Sequence, residues 1–119
     1  MDTKLREEIA QLHAELCSGL ADTNRILILY ALSQCNCNVS DLAAAIGLSQ
    51  PKVSRHLKIL RDRGLVTAIR DGQSVHYSLT DTRVITALDI LRSIMSDRIK
   101  EQMELTGSVD SSQQANWEN

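Results

Sequence analysis

The chain of 119 residues contains no phenylalanine, one tryptophan and two tyrosines. A core without aromatic bulk must be packed from Leu, Ile and Val, which suits helices meeting through aliphatic ridges. So few aromatics also leave little surface on which single-stranded bases could stack. One proline and five glycines are too few for a fibrous or disordered chain. With 43% hydrophobic and 24% charged residues, the composition is that of a globular fold with one core. No apolar run approaches the roughly 20 residues of a membrane span, and the opening MDTKLREEIA is charged where a signal peptide is apolar. A cytoplasmic protein is the expectation. Three cysteines, an odd number in a reducing compartment, argue against a disulfide framework and leave metal binding, redox chemistry or packing to explain them.

A net charge of -2 speaks against a phosphate-binding protein only on average. Between Ser49 and Gln73 lie Lys52, Arg55, Lys58, Arg61, Arg63 and Arg70 against Asp62 and Asp71. Positive charge is therefore concentrated in one segment while the rest of the chain is acidic.

Apolar residues at Leu5, Ile9, Leu12, Leu16 and Leu20 recur at helical spacing and predict a first helix over 4–20. Asp22-Thr23-Asn24 offers caps for a buried second helix over Arg25–Leu32, and Ser33–Asn38 reads as a polar loop. Ser40 is the expected cap of a third helix, Asp41–Ile46, ended by Gly47. Ser49 caps a fourth, with Pro51 tolerated in its first turn. There Val53, Leu57 and Leu60 fall within about 60° of one another, with Pro51, Ser54, Arg55 and Lys58 on the other side. Gly64 closes that helix. Asp71-Gly72 then predicts a hairpin between Leu65–Arg70 and Gln73–Leu79. From Asp81 a long last helix carries Val84, Leu88, Leu91, Met95 and Ile99 on one stripe. Residues 1–105 are expected to form the folded domain and 106–119 a disordered tail.

Helix, glycine turn, basic helix and hairpin together make a mainly α winged helix-turn-helix. Such a unit lays its second helix in the DNA major groove, with flanking cations on phosphates. Ser49, Gln50, Lys52, Ser54, Arg55, Lys58 and Arg70 are the candidate DNA contacts. Gln50, Ser54 and Arg55 suit base edges, while Lys52, Lys58 and Arg70 suit phosphates.

In this order, Leu20-Ala21-Asp22-Thr23-Asn24-Arg25-Ile26-Leu27, Val39-Ser40-Asp41-Leu42-Ala43, Leu48-Ser49-Gln50-Pro51-Lys52-Val53-Ser54-Arg55-His56-Leu57, Gly64-Leu65-Val66 and Asp71-Gly72-Gln73-Ser74-Val75-His76-Tyr77 resemble the ArsR/SmtB family of metal-responsive transcriptional repressors. The resemblance runs from about Leu16 to Leu91. It implies a homodimer through the first and last helices, bound to an imperfect palindrome of double-stranded operator DNA and released by an inducer.

One family inducer site lies on the last helix. Asp81 is retained there, but Arg83, Ile94 and Asp97 stand at the other ligand positions, a poor zinc set, so that site is expected to be absent. A second family site uses a Cys-x-Cys pair at positions that align with Asn38 and Ser40. Here Cys35 and Cys37 lie just upstream, with Cys17 on the first helix as the available third ligand. Three thiolates suit arsenic(III) or antimony(III). Cadmium or lead would accept them, and copper(I) could use two. Cys17 also reads as a packing residue at the flank of an apolar stripe, whereas Cys35 and Cys37 sit in a polar loop. His13, His56 and His76 read as packing or hydrogen-bonding residues.

No nucleophile elbow, zinc-protease, P-loop or dinucleotide motif is present, and an enzyme is not expected. Two alternatives stay open. One is a repressor of the same fold switched by a disulfide between these thiols. The other is a protein-interaction module, against which the basic segment speaks.

Overall fold

Asp22 starts the central helix of the fold. In the computed structural model, which describes residues 1–106, its carboxylate accepts the backbone N–H groups of Asn24 and Arg25 at 2.8 and 3.2 Å. Helix α3, Thr23–Gln34, follows. Ahead of it, α1 (Thr3–Leu12) leads through a π-helical turn at His13–Cys17 into the short α2 (Ser18–Leu20), so the expected first helix is present with one widened turn. Helix α4 spans Val39–Ile46 and α5 Gln50–Asp62. The hairpin pairs β1 (Val66–Asp71) with β2 (Ser74–Leu79), and α6 spans Arg83–Thr106. Residues 1–85 form one compact unit and a second begins at Thr86, within α6. The expected tail lies outside the described residues, except Thr106, which ends α6.

The core of the first unit is aliphatic, as the missing aromatics require. Ile28, Leu29 and Leu32 of α3 are buried with Leu42 and Ala43 of α4, Val53, Leu57 and Leu60 of α5, and Leu65 and Val66. Each large aliphatic side chain so buried contributes roughly 1.5–3 kcal/mol. Helix α3 packs against α4, α5 and β2, and α5 also packs on β1. The helix-turn-helix and the wing therefore share one core.

Two glycines set the corners. Gly47 takes φ 81° after α4, and the Leu48 N–H reaches back to the Ala43 carbonyl at 3.2 Å. Gly64 takes φ 74° after α5. There the Leu65 N–H bonds the Leu60 carbonyl at 2.9 Å and the Gly64 N–H that of Arg61 at 3.0 Å, the Schellman closure that a left-handed residue permits.

Three local expectations are corrected. Asn38, not Ser40, caps α4: its side-chain oxygen accepts the Asp41 N–H at 2.8 Å, and α4 begins at Val39, placing Ser40 inside it. Helix α3 runs on through Ser33 and Gln34, so the loop is only Cys35–Asn38. The hairpin turn is Gly72-Gln73, one residue later than expected, because Asp71 pairs with Ser74. Gly72, at φ 64°, occupies the first turn position, where a two-residue hairpin loop of this hand requires glycine.

Candidate DNA-reading surface and thiol site

Burying Val53, Leu57 and Leu60 turns the opposite face of α5 to solvent with Ser54, Arg55 and Lys58 exposed on it, and Gln50 and Lys52 of the first turn are also exposed. Ser49 is exposed as well, but its hydroxyl accepts the Lys52 N–H at 3.4 Å, so it serves first as the helix cap. Lys58 forms a loose ion pair with Asp62 at 4.0 Å, worth little in water. Arg70 stands exposed on β1 next to the hairpin turn. All seven candidate contacts are thus available to a ligand, six around the start and outer face of α5 and one on the wing.

Sequence reasoning missed the residue that ties α5 to the N-terminal segment. Arg25 of α3 donates from Nε to the Gly19 carbonyl at 2.8 Å and from its terminal nitrogen to the Ser18 carbonyl at 3.2 Å. Its other terminal nitrogen lies 3.5 Å from Nδ1 of His56 on α5. The signal was a lone cation at the head of an otherwise apolar run. Burial pushes the Asp22 carboxyl up, but the N–H groups of Arg25 and Asn24 and the charges on His56 and Arg25 outweigh that and hold it below the usual carboxylate range. His56 is half-buried and acts as a hydrogen-bonding residue, as expected.

The structure brings together Cys35 and Cys37, with their sulfurs 2.6 Å apart. Their environments differ. Cys35 is exposed, while Cys37 is only 6% exposed, which corrects the expectation that both sit in a polar loop away from the core. Burial, then the hydrogen bond and charge of Cys35, push the Cys37 thiol up to about 11. The loop is held from the other side as well: the Cys37 N–H donates to the Tyr77 carbonyl at 3.2 Å, and the Tyr77 N–H donates to the Cys37 carbonyl at 2.8 Å. Cys17 is exposed in the π-helical turn. Among the described residues no three His, Cys, Asp or Glu side chains converge on one point, so one chain supplies two neighbouring sulfurs and not the full set of three.

Asp81 is already committed. Arg83 donates to both of its carboxylate oxygens, at 3.1 and 2.7 Å, and that pairing, with the Arg83 N–H, lowers the carboxyl to about 2. A cation there would have to displace a guanidinium.

The apolar stripes are left uncovered in the single chain. Leu5, Ile9 and Leu12 of α1 and Leu16 of the π-helical turn are exposed, Leu12 to 48%. On α6, Ile90, Leu91, Ile94 and Met95 are exposed, Leu91 to 60%, while Leu88 is buried.

The family model for bacterial regulatory proteins of the arsR family matches residues 22–68, from the cap of α3 into β1. Over 107 residues the chain is 37% identical to the HTH-type transcriptional regulator CmtR of Mycobacterium bovis, covering 80% of this chain and 91% of that one. The chain belongs to the arsR family. It is also 45% identical over 76 residues to the HTH-type transcriptional regulator NmtR of Mycobacterium tuberculosis, covering 64% of this chain and 63% of that one, less than two thirds of the relative's length. Among solved structures, the NMR structure of the cadmium metal-sensor CMTR from Mycobacterium tuberculosis is similar, with a TM-score of 0.57 and 44% identity, over 66% of this chain and 81% of that one. The fold is the winged helix-turn-helix of this family, a family of DNA-binding regulators and not of enzymes. No described helix is long and apolar enough to cross a membrane.

Proposed function

We propose that the protein is a homodimeric repressor that binds palindromic operator DNA through α5 and the wing and is released when a thiophilic ion is captured by Cys35 and Cys37, with Cys17 as the third ligand. The juxtaposition of the two sulfurs beside the wing carries the sensing half of this reading. The exposed basic face of a capped, buried-backed helix carries the DNA half. Gln50, Ser54 and Arg55 read base edges, while Lys52, Lys58 and Arg70 hold phosphates; Ser49 fixes the N-terminal end of the helix that enters the groove. The uncovered stripes of α1 and α6 supply the dimer contact, which places two reading helices about one DNA turn apart.

The two donors that meet are both sulfur, which fits a soft ion. When bound, the ion supplies bonds to thiolates that replace S–H protons. Burial holds the Cys37 thiol up near 11, so its proton leaves only in exchange for the ion. Capture therefore weakens as pH falls. Arsenic(III) and antimony(III) match three sulfurs in a pyramid, and cadmium and lead form the alternative class. The likeness to a cadmium sensor favours ion capture over the thiol-disulfide alternative. Movement of the loop ahead of α4 shifts the reading helices away from the spacing the DNA demands, a coupling of about 1–3 kcal/mol.

The test is binding of a labelled palindromic duplex, selected in vitro by the reduced protein, titrated with arsenite, antimonite, cadmium, lead, zinc and copper(I). Release by a soft ion that disappears in Cys35→Ser/Cys37→Ser supports the reading. Release that persists in that variant overturns it.

A further inference from the structure

We propose that the Cys35–Cys37 segment is a short third strand of the wing, so that loading its two thiols is read out as a movement of β2 and Arg70. This deepens the ion-sensor reading above and rests on it for the natural ligand, but the mechanical coupling is separable. Cys37 and Tyr77 exchange both backbone hydrogen bonds, at 3.2 and 2.8 Å, as an antiparallel bridge. Tyr77 lies in the middle of β2, and its other neighbour is Ala68 of β1. Val75, two residues along β2, pairs with Arg70, about 7 Å away at the rise of a strand. Thiol, bridge and wing cation are thus consecutive in one small sheet.

The bridge has to respond when the thiols are loaded. Cys37 is 6% exposed and its sulfur lies 2.6 Å from that of the exposed Cys35, so an ion that binds both sulfurs pulls the segment from its solvent side. The two bonds to Tyr77 are what hold that segment against β2. The cap of α4 is a separate device: Asn38 accepts the Asp41 N–H at 2.8 Å and is not itself a sulfur ligand, so the segment can move on the wing side without uncapping the helix.

The experiment follows amide hydrogen exchange at Tyr77 and Cys37 by NMR in the reduced, full-length protein. It is run alone, with arsenite, with cadmium, and with phenylarsine oxide as a reagent that bridges neighbouring thiols. In the last case two As–S bonds form, and both thiol protons leave with the arsenic-bound oxygen as water, with no change in oxidation state. Loading should speed exchange at Tyr77 at least tenfold, and Cys35→Ser, which alters only the exposed thiol, should abolish the effect. Arg70→Ala should shrink the fold-loss in DNA affinity on loading, because the wing contact is already gone. If none of the soft ions of the DNA-release titration binds but phenylarsine oxide still opens the bridge, the ion-sensor reading fails and the coupling stands. If loading releases DNA while Tyr77 stays as protected as before, the coupling is overturned and the sensor reading stands. If phenylarsine oxide loads the pair and neither Tyr77 exchange nor DNA binding changes, the coupling is likewise overturned.

Discussion

Arg25 and His56 meet across the interface of α3 and α5, guanidinium nitrogen to imidazole Nδ1 at 3.5 Å. The same guanidinium holds the Ser18 and Gly19 carbonyls at the end of α2. Gly19 is buried so closely that an added Cβ would stand 2.9 Å from Cδ1 of Leu65 and 3.3 Å from Cγ of Arg63. The helical segment that carries Cys17 and the exposed stripe is therefore pinned at two points, a polar one at His56 of α5 and a steric one at the closure just past that helix. Arg25→Ala should cost about 1.5–3 kcal/mol, the range for hydrogen bonds from a charged donor, and lower the melting temperature by several degrees. A melt unchanged from the wild type would show that water replaces the guanidinium without penalty.

The reading helix makes a sharper prediction. Arg55→Ala should weaken binding to the selected duplex by about 1–3 kcal/mol and relax preference at one base position. Lys52→Ala should instead weaken all sequences alike and reduce the salt slope by about one. Anisotropy titrations at several salt concentrations separate the two, and equal effects from both variants would remove Arg55 from base reading.

Dimerisation is tested on the uncovered face of α1. Leu12 is exposed in the single chain, so Leu12→Glu costs the monomer little. Buried in a dimer, the unpaired carboxylate would be expensive. Sedimentation should show the wild type as a dimer and the variant shifted strongly to monomer, with operator affinity falling in step. A variant that remains dimeric would exclude this face.

Cys37 gives stability a pH dependence with a definite sign. Its thiol is raised from an ordinary 9.0 to about 11. Below pH 9 it is protonated in both states and contributes no slope. Between 9 and 11 the unfolded chain releases the proton that the folded chain retains, so this contribution to stability falls as pH rises through that window. Denaturant titrations should show the wild type losing stability between these limits relative to Cys37→Ala. Parallel profiles would mean that the buried thiol does not govern the window.

Much of the fold was legible because it is local. Apolar spacing places Val53, Leu57 and Leu60 inside and Arg55 and Lys58 outside whatever the partners are, and Gly47 and Gly64 mark corners that need a left-handed residue. Errors arose where two local solutions compete. Asn38 and Ser40 are both good caps, and the helix starts at the first of them, where the Asn38 side chain accepts the Asp41 N–H. Either Asp71-Gly72 or Gly72-Gln73 makes a two-residue turn, and the strand register decides.

The sequence by itself determined the helix order, the hairpin, the aliphatic core and the basic face, since each follows from residue spacing along one element. Tertiary structure alone decided that Cys37 is buried while Cys35 is exposed, that Arg25 reaches His56, and that the thiol segment pairs with the wing. Those relations join residues 31 and 40 positions apart, and no periodicity within an element encodes which backbone edge, carbonyl or imidazole a distant segment will meet when the core closes.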